Sequence, residues 1–234
     1  MRYGVLAGIA LLFLAGSDCS AADLPQAIQR VETETEAPNT TPRERSNSVY
    51  FFAGRLSTTS LGSTLRFNLD HPSNEITYDN YIAGAAYTRD IYRLGLGFTL
   101  GAEIGGAVRA GSFALCCNPV VKSSSWVNSE ELWIGPRISH EGFVFFNTVR
   151  LAGATTWGLS FANNSIGYER GREIAWSGSA RTLFYFGPEI IVALQQFPDF
   201  EFVYRLHHRS GANGKLGNLR EGYNANVFGI RYKF

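Results

Sequence analysis

The fold of this chain is constrained most strongly by eight segments of alternating apolar and polar residues, joined by short and long links in turn. The segments cover residues 48–57, 79–91, 94–109, 126–139, 142–153, 180–196, 199–209 and 223–234. The second, fourth and sixth links are tight, at residues 92–93, 140–141 and around 197–200. The others are long, at residues 58–78, 110–125, 154–179 and 210–222. Alternation with period two predicts β-strands, and tight turns alternating with long loops are typical of outer-membrane β-barrels.

The alternation also assigns one face of each strand to lipid and the other to a narrow interior. In the third segment leucine, Phe98 and Ile104 fall on one face, whereas glycine and Glu103 fall on the other. The last segment alternates in the same way up to a terminal Phe234, which is typical of bacterial outer-membrane proteins. We therefore expect an all-β fold, an eight-stranded antiparallel transmembrane β-barrel of the bacterial outer membrane with both strand termini on the periplasmic side.

Several charged residues fall on the interior face. They are Glu103, Glu131, Arg137, Arg150, Arg181, Glu189, Arg205 and Arg231. An eight-stranded barrel is only wide enough to hold its own side chains. We therefore interpret these residues as an ion-pair network that fills the lumen, which disfavours a channel.

The chain before the first strand divides into two parts. Residues 4–16 form an apolar run that is too short for a membrane-spanning helix, and small residues follow at 20–22. We expect residues 1–22 to be a cleaved signal peptide. Residues 23–46 are polar and charged, which predicts a disordered periplasmic lead, and residues 47–234 form the barrel.

Composition excludes several classes of function. The net charge of +1 gives no footprint for nucleic-acid binding. Past the signal peptide the only cysteines are the adjacent Cys116 and Cys117, which make no disulfide framework. No cysteine and histidine spacing supports a zinc site, so we expect no metal and no cofactor. His71 and His140 have no partner visible in the sequence.

The seventh segment carries the candidate chemistry. His208 and Ser210 end a row that begins facing lipid with Phe200, so they lie at the outer rim. Polar residues in such a row are costly unless they have a function or reach the lipid headgroups. Residues two apart in a strand project from the same side about 7 Å apart, which brings an imidazole within reach of a hydroxyl.

This pair permits acyl transfer, with Ser210 as nucleophile and His208 as general base. Glu221 opens the neighbouring strand at the same rim and is the candidate acid that orients the base. The backbone amides around Gly211, or the side-chain amide of Asn213, are candidate donors to the oxyanion.

The sequence His208-Arg209-Ser210, followed by Glu221, resembles the His-x-Ser pair and following glutamate of the PagL-type lipid A 3-O-deacylases, an outer-membrane acyloxyacyl hydrolase-like family. The resemblance covers the last 35 residues of the chain well and the architecture of the whole barrel loosely. It implies an outer-membrane esterase of a Gram-negative bacterium that hydrolyses the ester-linked acyl chain at the 3-position of lipid A. Its partners would be lipopolysaccharide and other outer-membrane lipids.

Two positions depart from the pattern of that family. The family usually has asparagine directly after the serine, whereas this chain has Gly211 there and Asn213 two residues later. Strict alternation counted back from Phe234 also places Glu221 on the lumen face. A one-residue bulge at Gly222 or Gly229 would turn Glu221 toward His208.

The alternative is a non-enzymatic surface barrel that serves envelope stability, adhesion or lipopolysaccharide binding. In that interpretation His207, His208 and Arg209 form a basic rim that grips lipopolysaccharide phosphates. The long loops 110–125 and 154–179 would then carry the contacts. A homodimer is left open.

Overall fold

The structure, a computed structural model, describes residues 45–57, 61–62, 80–114 and 122–234. The predicted signal peptide and all but the last two residues of the predicted lead lie outside the described residues, as do His71, Cys116 and Cys117. Within the described ranges, no helix has the length and apolar character needed to cross a membrane.

Eight antiparallel strands close into a barrel in which each strand pairs with the next and the last pairs with the first. The strands are β1 (Asn47–Ser57), β2 (Tyr81–Gly95), β3 (Phe98–Ala114), β4 (Lys122–Phe145), β5 (Val149–Ala162), β6 (Thr182–Leu194), β7 (Phe200–Ser210) and β8 (Asn224–Lys233). The predicted all-β, eight-stranded barrel is therefore confirmed, and it is a barrel of the outer-membrane type.

The two ends of the barrel differ. At one end lie the tight turns 96–97, 146–148 and 195–199, and here Asn47 and Phe234 exchange two backbone hydrogen bonds of 3.1 and 2.9 Å. We call this the turn end. The loop end carries the links 58–80, 115–121, 163–181 and 211–223.

Two of the predicted turns are wrong, because β2 and β4 run through residues 92–93 and 140–141. The β2–β3 turn lies instead at Leu96 and Gly97, whose φ angles of 52° and 78° are those of a tight hairpin turn. In β4 the register shifts between His140 and Phe143, and Gly142 has φ 87°. This bulge absorbs the irregularity, so the strand continues to Phe145 and His140 lies within it.

The two faces of the wall differ as the alternation predicts. Large apolar side chains are exposed on the outside, including Ile104 (52%), Leu132 (62%), Phe202 (57%) and Phe228 (65%). A barrel that spans a membrane needs such an apolar outer surface.

Ion pairs fill the middle of the lumen, as the interior charges predict. Arg205 binds Glu103 at 2.6 Å and also binds Glu189, which in turn contacts Arg137 at 2.6 Å and Arg231 at 2.7 Å. These five side chains are at most 5% exposed.

One of the interior assignments is wrong. Arg181 precedes β6 and is exposed at the loop end, so it does not belong to the lumen network. The predicted segment began at residue 180, whereas β6 begins at Thr182, so Arg181 lies before the strand.

The loop end of the lumen is covered by a helix that the periodicity did not predict, α1 (Gly167–Trp176). Glu169 of α1 is fully buried and binds both Arg109 of β3, at 3.0 Å, and Arg209 of β7. These two buried ion pairs fix α1 to opposite parts of the wall.

Candidate functional site

His208 and Ser210 lie at the loop end of β7, on positions that continue the outward row of Phe202 and Tyr204. Ser210 is partly exposed, whereas His208 is only 7% exposed. The imidazole is thus less open to lipid than the alternation alone suggests. Burial restricts the orientation of the imidazole ring, because fixed neighbours surround it.

The neighbour that sets the His208 ring is Asn224. The two residues are directly opposite in the β7–β8 ladder, and Nδ1 of His208 lies 2.6 Å from Oδ1 of Asn224. An amide oxygen can only accept, so Nδ1 of the imidazole carries the hydrogen and Nε2 is left with its lone pair. Asn224 is itself 1% exposed. The ring is therefore held in the tautomer that a general base requires.

The Ser210 hydroxyl is engaged within its own loop. It donates to the carbonyl of Arg220 at 3.2 Å and accepts from the amide of Ala212 at 3.1 Å. Among the described residues, no hydrogen bond joins Ser210 to His208. To reach the imidazole, the hydroxyl must exchange its bond to the Arg220 carbonyl, a net cost of about 1 kcal/mol.

Glu221 lies across from Ser210 because the chain bulges at Gly222. Arg209 donates its amide to Tyr223 O and accepts from the amide of Gly222, both at 3.0 Å, so it opposes two residues. This pattern is that of a one-residue bulge, and it shifts Glu221 by one position relative to strict alternation.

Nδ1 of His208 is taken by Asn224, so Glu221 does not orient the base in this structure as predicted. The Glu221 carboxylate instead contacts α1. Its Oε2 lies 3.2 Å from Nη2 of Arg172, and Nη1 of Arg172 donates to the carbonyl of Gly222. Arg172 thus ties α1 to the loop beside the His–Ser pair. No sequence pattern pointed to Arg172, because it belongs to the helix that the strand alternation did not reveal.

The lack of space around position 211 explains why glycine, and not asparagine, follows the serine. A Cβ atom at this position would lie 2.0 Å from the Leu219 carbonyl oxygen and 2.6 Å from that of Leu216. The loop folds back here, with Leu216 N–H donating to Gly211 O. Any side chain at Gly211 would therefore require the loop to open.

Asn213 is exposed on the same loop with φ 59°. The Ala212 amide already lies beside the Ser210 oxygen. It is therefore a candidate backbone donor to an oxyanion formed there.

The basic rim considered from the sequence is wrong for two of its three members. His207 and Arg209 are fully buried and face the lumen, where His207 Nε2 contacts Glu131 at 2.9 Å. Arg209 donates hydrogen bonds to Glu169 and Ser160.

In the part of the chain that the structure describes, no group of three or more His, Cys, Asp or Glu residues could hold a metal ion.

No protein-family model matches the chain, and no curated protein sequence matches it. Among solved structures, the outer membrane enzyme PagL is similar at 11% identity, with 80% of this chain and 99% of that chain covered and a TM-score of 0.47. The outer membrane protein OprG from Pseudomonas aeruginosa gives 10% identity, 81% and 96% coverage and a TM-score of 0.42.

The Yersinia pestis outer membrane protein Ail in a nanodisc gives 9% identity, 82% and 100% coverage and a TM-score of 0.37. These similarities concern the barrel and carry no inference about activity. Function is therefore inferred from the residues of the chain itself.

Proposed function

We propose that this chain is an outer-membrane esterase that hydrolyses the ester-linked acyl chain at the 3-position of lipid A. The observation that supports this most directly is the His208–Asn224 hydrogen bond, which leaves Nε2 of His208 as a base two residues from Ser210. Both residues lie on the outer wall, which also exposes the apolar band. A nucleophile in that position suits a substrate that resides in the membrane.

In the proposed reaction, Nε2 of His208 takes the hydroxyl proton as Oγ of Ser210 attacks the ester carbonyl carbon. The carbonyl oxygen becomes an oxyanion, which the Ala212 amide stabilises. The imidazolium returns the proton to the departing sugar oxygen, and an acyl-serine remains. A water molecule, deprotonated by His208, then hydrolyses the acyl-serine and releases the fatty acid.

The proposed roles of Asn224 and Glu221 differ. Asn224 orients the imidazole through a neutral hydrogen bond. Glu221 neutralises Arg172 at the edge of the site, so that its positive charge does not oppose formation of the imidazolium. All of these residues belong to one chain, so the proposed site needs no second copy.

Trapping the nucleophile tests this function. The refolded protein in non-ionic detergent is treated with a lipophilic fluorophosphonate, and the modified peptide is identified by mass spectrometry. We expect one phosphonyl group, on Ser210, and loss of fatty-acid release from lipid A in proportion to labelling. Labelling of the nearby Ser179 to the same extent, or lipid A that keeps its 3-position acyl chain with the unlabelled protein, would contradict the proposal.

Substitution of Asn224 tests the orienting hydrogen bond. We expect Asn224→Leu to lower kcat about tenfold to a hundredfold, because the imidazole loses the bond that fixes its tautomer. Asn224→Asp keeps an acceptor oxygen, so most of the rate should return.

The pH profile separates the orienting role from a structural one. The new carboxylate stabilises the imidazolium, so the acidic limb of the Asn224→Asp profile should move to higher pH. A purely structural role for Asn224 predicts an unchanged profile in both variants.

A non-enzymatic surface barrel is the second candidate, and the engagement of the Ser210 hydroxyl by Arg220 and Ala212 favours it. In that case the hydroxyl only stabilises the loop 211–223. The fluorophosphonate experiment separates the two candidates, because an unactivated serine does not react.

A further inference from the structure

The outer wall of the barrel carries a groove across β1, β2 and β3 in its loop-end half. One row of paired outward residues runs across four strands and consists of Phe228, Ala53, Ala83 and Val108. Phe228 and Val108, at the two ends of this row, are 65% and 62% exposed. The two alanines between them leave the wall low at its centre and high on both sides.

The groove continues in the next row toward the turn end. There Ala85 and Gly106 are paired with each other and lie between Phe51 and Leu132, which are each 62% exposed. The row after that consists of large side chains, namely Tyr87, Ile104 and Ile134. The groove is therefore closed toward the turn end.

The size of the groove suits one hydrocarbon chain. It consists of two adjoining depressions of about 730 and 750 Å³ that share Ala83 and Val108. From Tyr81 to Ala85 along β2 it is about 14 Å long, and its floor of two strands is about 10 Å wide. The convex wall of a second barrel does not fit into a groove of this width, whereas a single acyl chain does.

The loop end of the groove is polar. Arg55, Ser57 and Asn226 line it there. Oδ1 of Asn226 accepts a hydrogen bond of 2.7 Å from the Tyr204 hydroxyl, so the amide nitrogen of Asn226 can donate to a carbonyl oxygen. Such a donor suits the ester or amide group through which an acyl chain is linked to its lipid.

Two stacked aromatic rings mark the depth of this polar end. Tyr81 and Trp126 are 48% and 58% exposed, and their ring centroids lie 6.3 Å apart. Tyrosine and tryptophan side chains are enriched where a membrane meets water. The groove therefore starts at the outer interface and descends into the hydrocarbon region.

The groove lies beside the proposed esterase site, at a distance that the strand register gives. Ser57 is opposite Asn224, which is opposite His208, and Ser210 follows two residues along β7. Two strands across and two residues along correspond to about 12 Å between Ser210 and Ser57. An ester attacked by Ser210 lies about 3–3.5 Å from the hydroxyl, so a chain linked at the polar end of the groove is a different one.

We propose that this groove binds a second acyl chain of the lipid A substrate, one that is not cleaved, and so positions the 3-position ester at Ser210. Lipid A carries several acyl chains on one disaccharide, so one molecule can reach both places. The inference rests on the proposed esterase function. Contacts far from the reacting atoms position a substrate in this way.

Photo-crosslinking tests the groove without hydrolysis. The refolded Ser210→Ala chain in non-ionic detergent is irradiated with lipid A that carries a diazirine at the end of an acyl chain other than the one at the 3-position. We expect mass spectrometry to find the label on β2 and β3 around Ala85 and Gly106, and unlabelled lipid A to displace it. Phosphatidylethanolamine with the same diazirine chain is the reference, and labelling of the groove to the same extent by this lipid overturns the proposal.

Filling the groove tests its role in binding. Ala83→Leu should lower the labelling by lipid A about tenfold, because the larger side chain occupies the floor. Ala102→Leu is the matched control, since Ala102 is an exposed alanine on the same wall, nearer the turn end and outside the groove. Equal labelling of the two variants would contradict the proposal.

Kinetics connect the groove to the esterase. With the Ser210 hydroxyl present, Ala83→Leu should raise KM for lipid A about tenfold and leave kcat unchanged, because the lost contact is made before and during the reaction alike. Hydrolysis by the unmodified chain without labelling of the groove overturns the groove and leaves the esterase. Labelling of the groove without hydrolysis overturns the esterase and leaves a lipid A-binding barrel.

Discussion

Replacing Ser210 with alanine should lower the rate of lipid A deacylation by at least about a thousandfold while the barrel still folds. The proposed reaction forms an acyl-serine, so losing the Ser210 hydroxyl removes the covalent step. The structural cost is small. Ser210→Ala removes two loop hydrogen bonds at a partly exposed position, each worth about 1 kcal/mol. The measurements are mass spectrometry of lipid A and the heat-dependent gel mobility of the folded barrel.

Ser179→Ala serves as the matched control, because Ser179 is an exposed serine in the adjacent loop, joined to Gly217 by a backbone hydrogen bond. It should keep both activity and fold. If Ser210→Ala still releases the 3-position acyl chain at the rate of Ser179→Ala, the serine mechanism is wrong. If neither variant nor the unmodified chain acts on lipid A, the surface-barrel alternative stands.

Replacing Arg205 with methionine should lower the free energy of unfolding by about 3–5 kcal/mol. Arg205 is fully buried and donates to Glu103 at 2.6 and 2.8 Å, to Glu189, and to the Tyr185 hydroxyl at 3.1 Å. Methionine fills much of the same volume but leaves the carboxylates without their shared cation. Urea unfolding in lipid vesicles, followed by tryptophan fluorescence, measures the change.

Arg181→Met makes the same substitution at an exposed position of the loop end and should change the stability by no more than about 0.5 kcal/mol. The double variant Arg205→Met with Glu103→Gln removes one of the stranded charges, so it should recover part of the loss. Equal destabilisation by Arg205→Met and Arg181→Met would show that the central network contributes little to stability.

The alternation in the sequence predicted the number of strands, their order and which face of the wall meets lipid. The alternation misplaced a turn where a bulge adds residues to a strand. Gly142 continues β4 past the expected turn, because a glycine with positive φ allows a bulge inside the strand. A period-two pattern interrupted by a glycine predicts a turn and a bulge equally well, and only pairing with β5 decides between them.

The same limitation applies to the candidate site. The sequence placed His208 and Ser210 on one face of β7, but it did not identify Asn224 as the partner of the imidazole. The alternation from Phe234 already puts Asn224 on the outward face. What it could not provide is the register between β7 and β8, which sets Asn224 opposite His208. The helix α1 and its Arg172 were beyond prediction because their contacts lie far away in the chain.

The buried carboxylate of Glu169 also sets an order of assembly. One of its arginine partners lies 60 residues away along the chain and the other 40. Glu169 can meet Arg109 and Arg209 together only when β3 and β7 already stand in the same wall. The helix between β5 and β6 therefore docks only after β3 and β7 are in place, and until then a protease can reach Arg172, whose side chain is 12% exposed in the folded chain. Resistance of this helix to proteolysis therefore indicates that the barrel has been completely assembled.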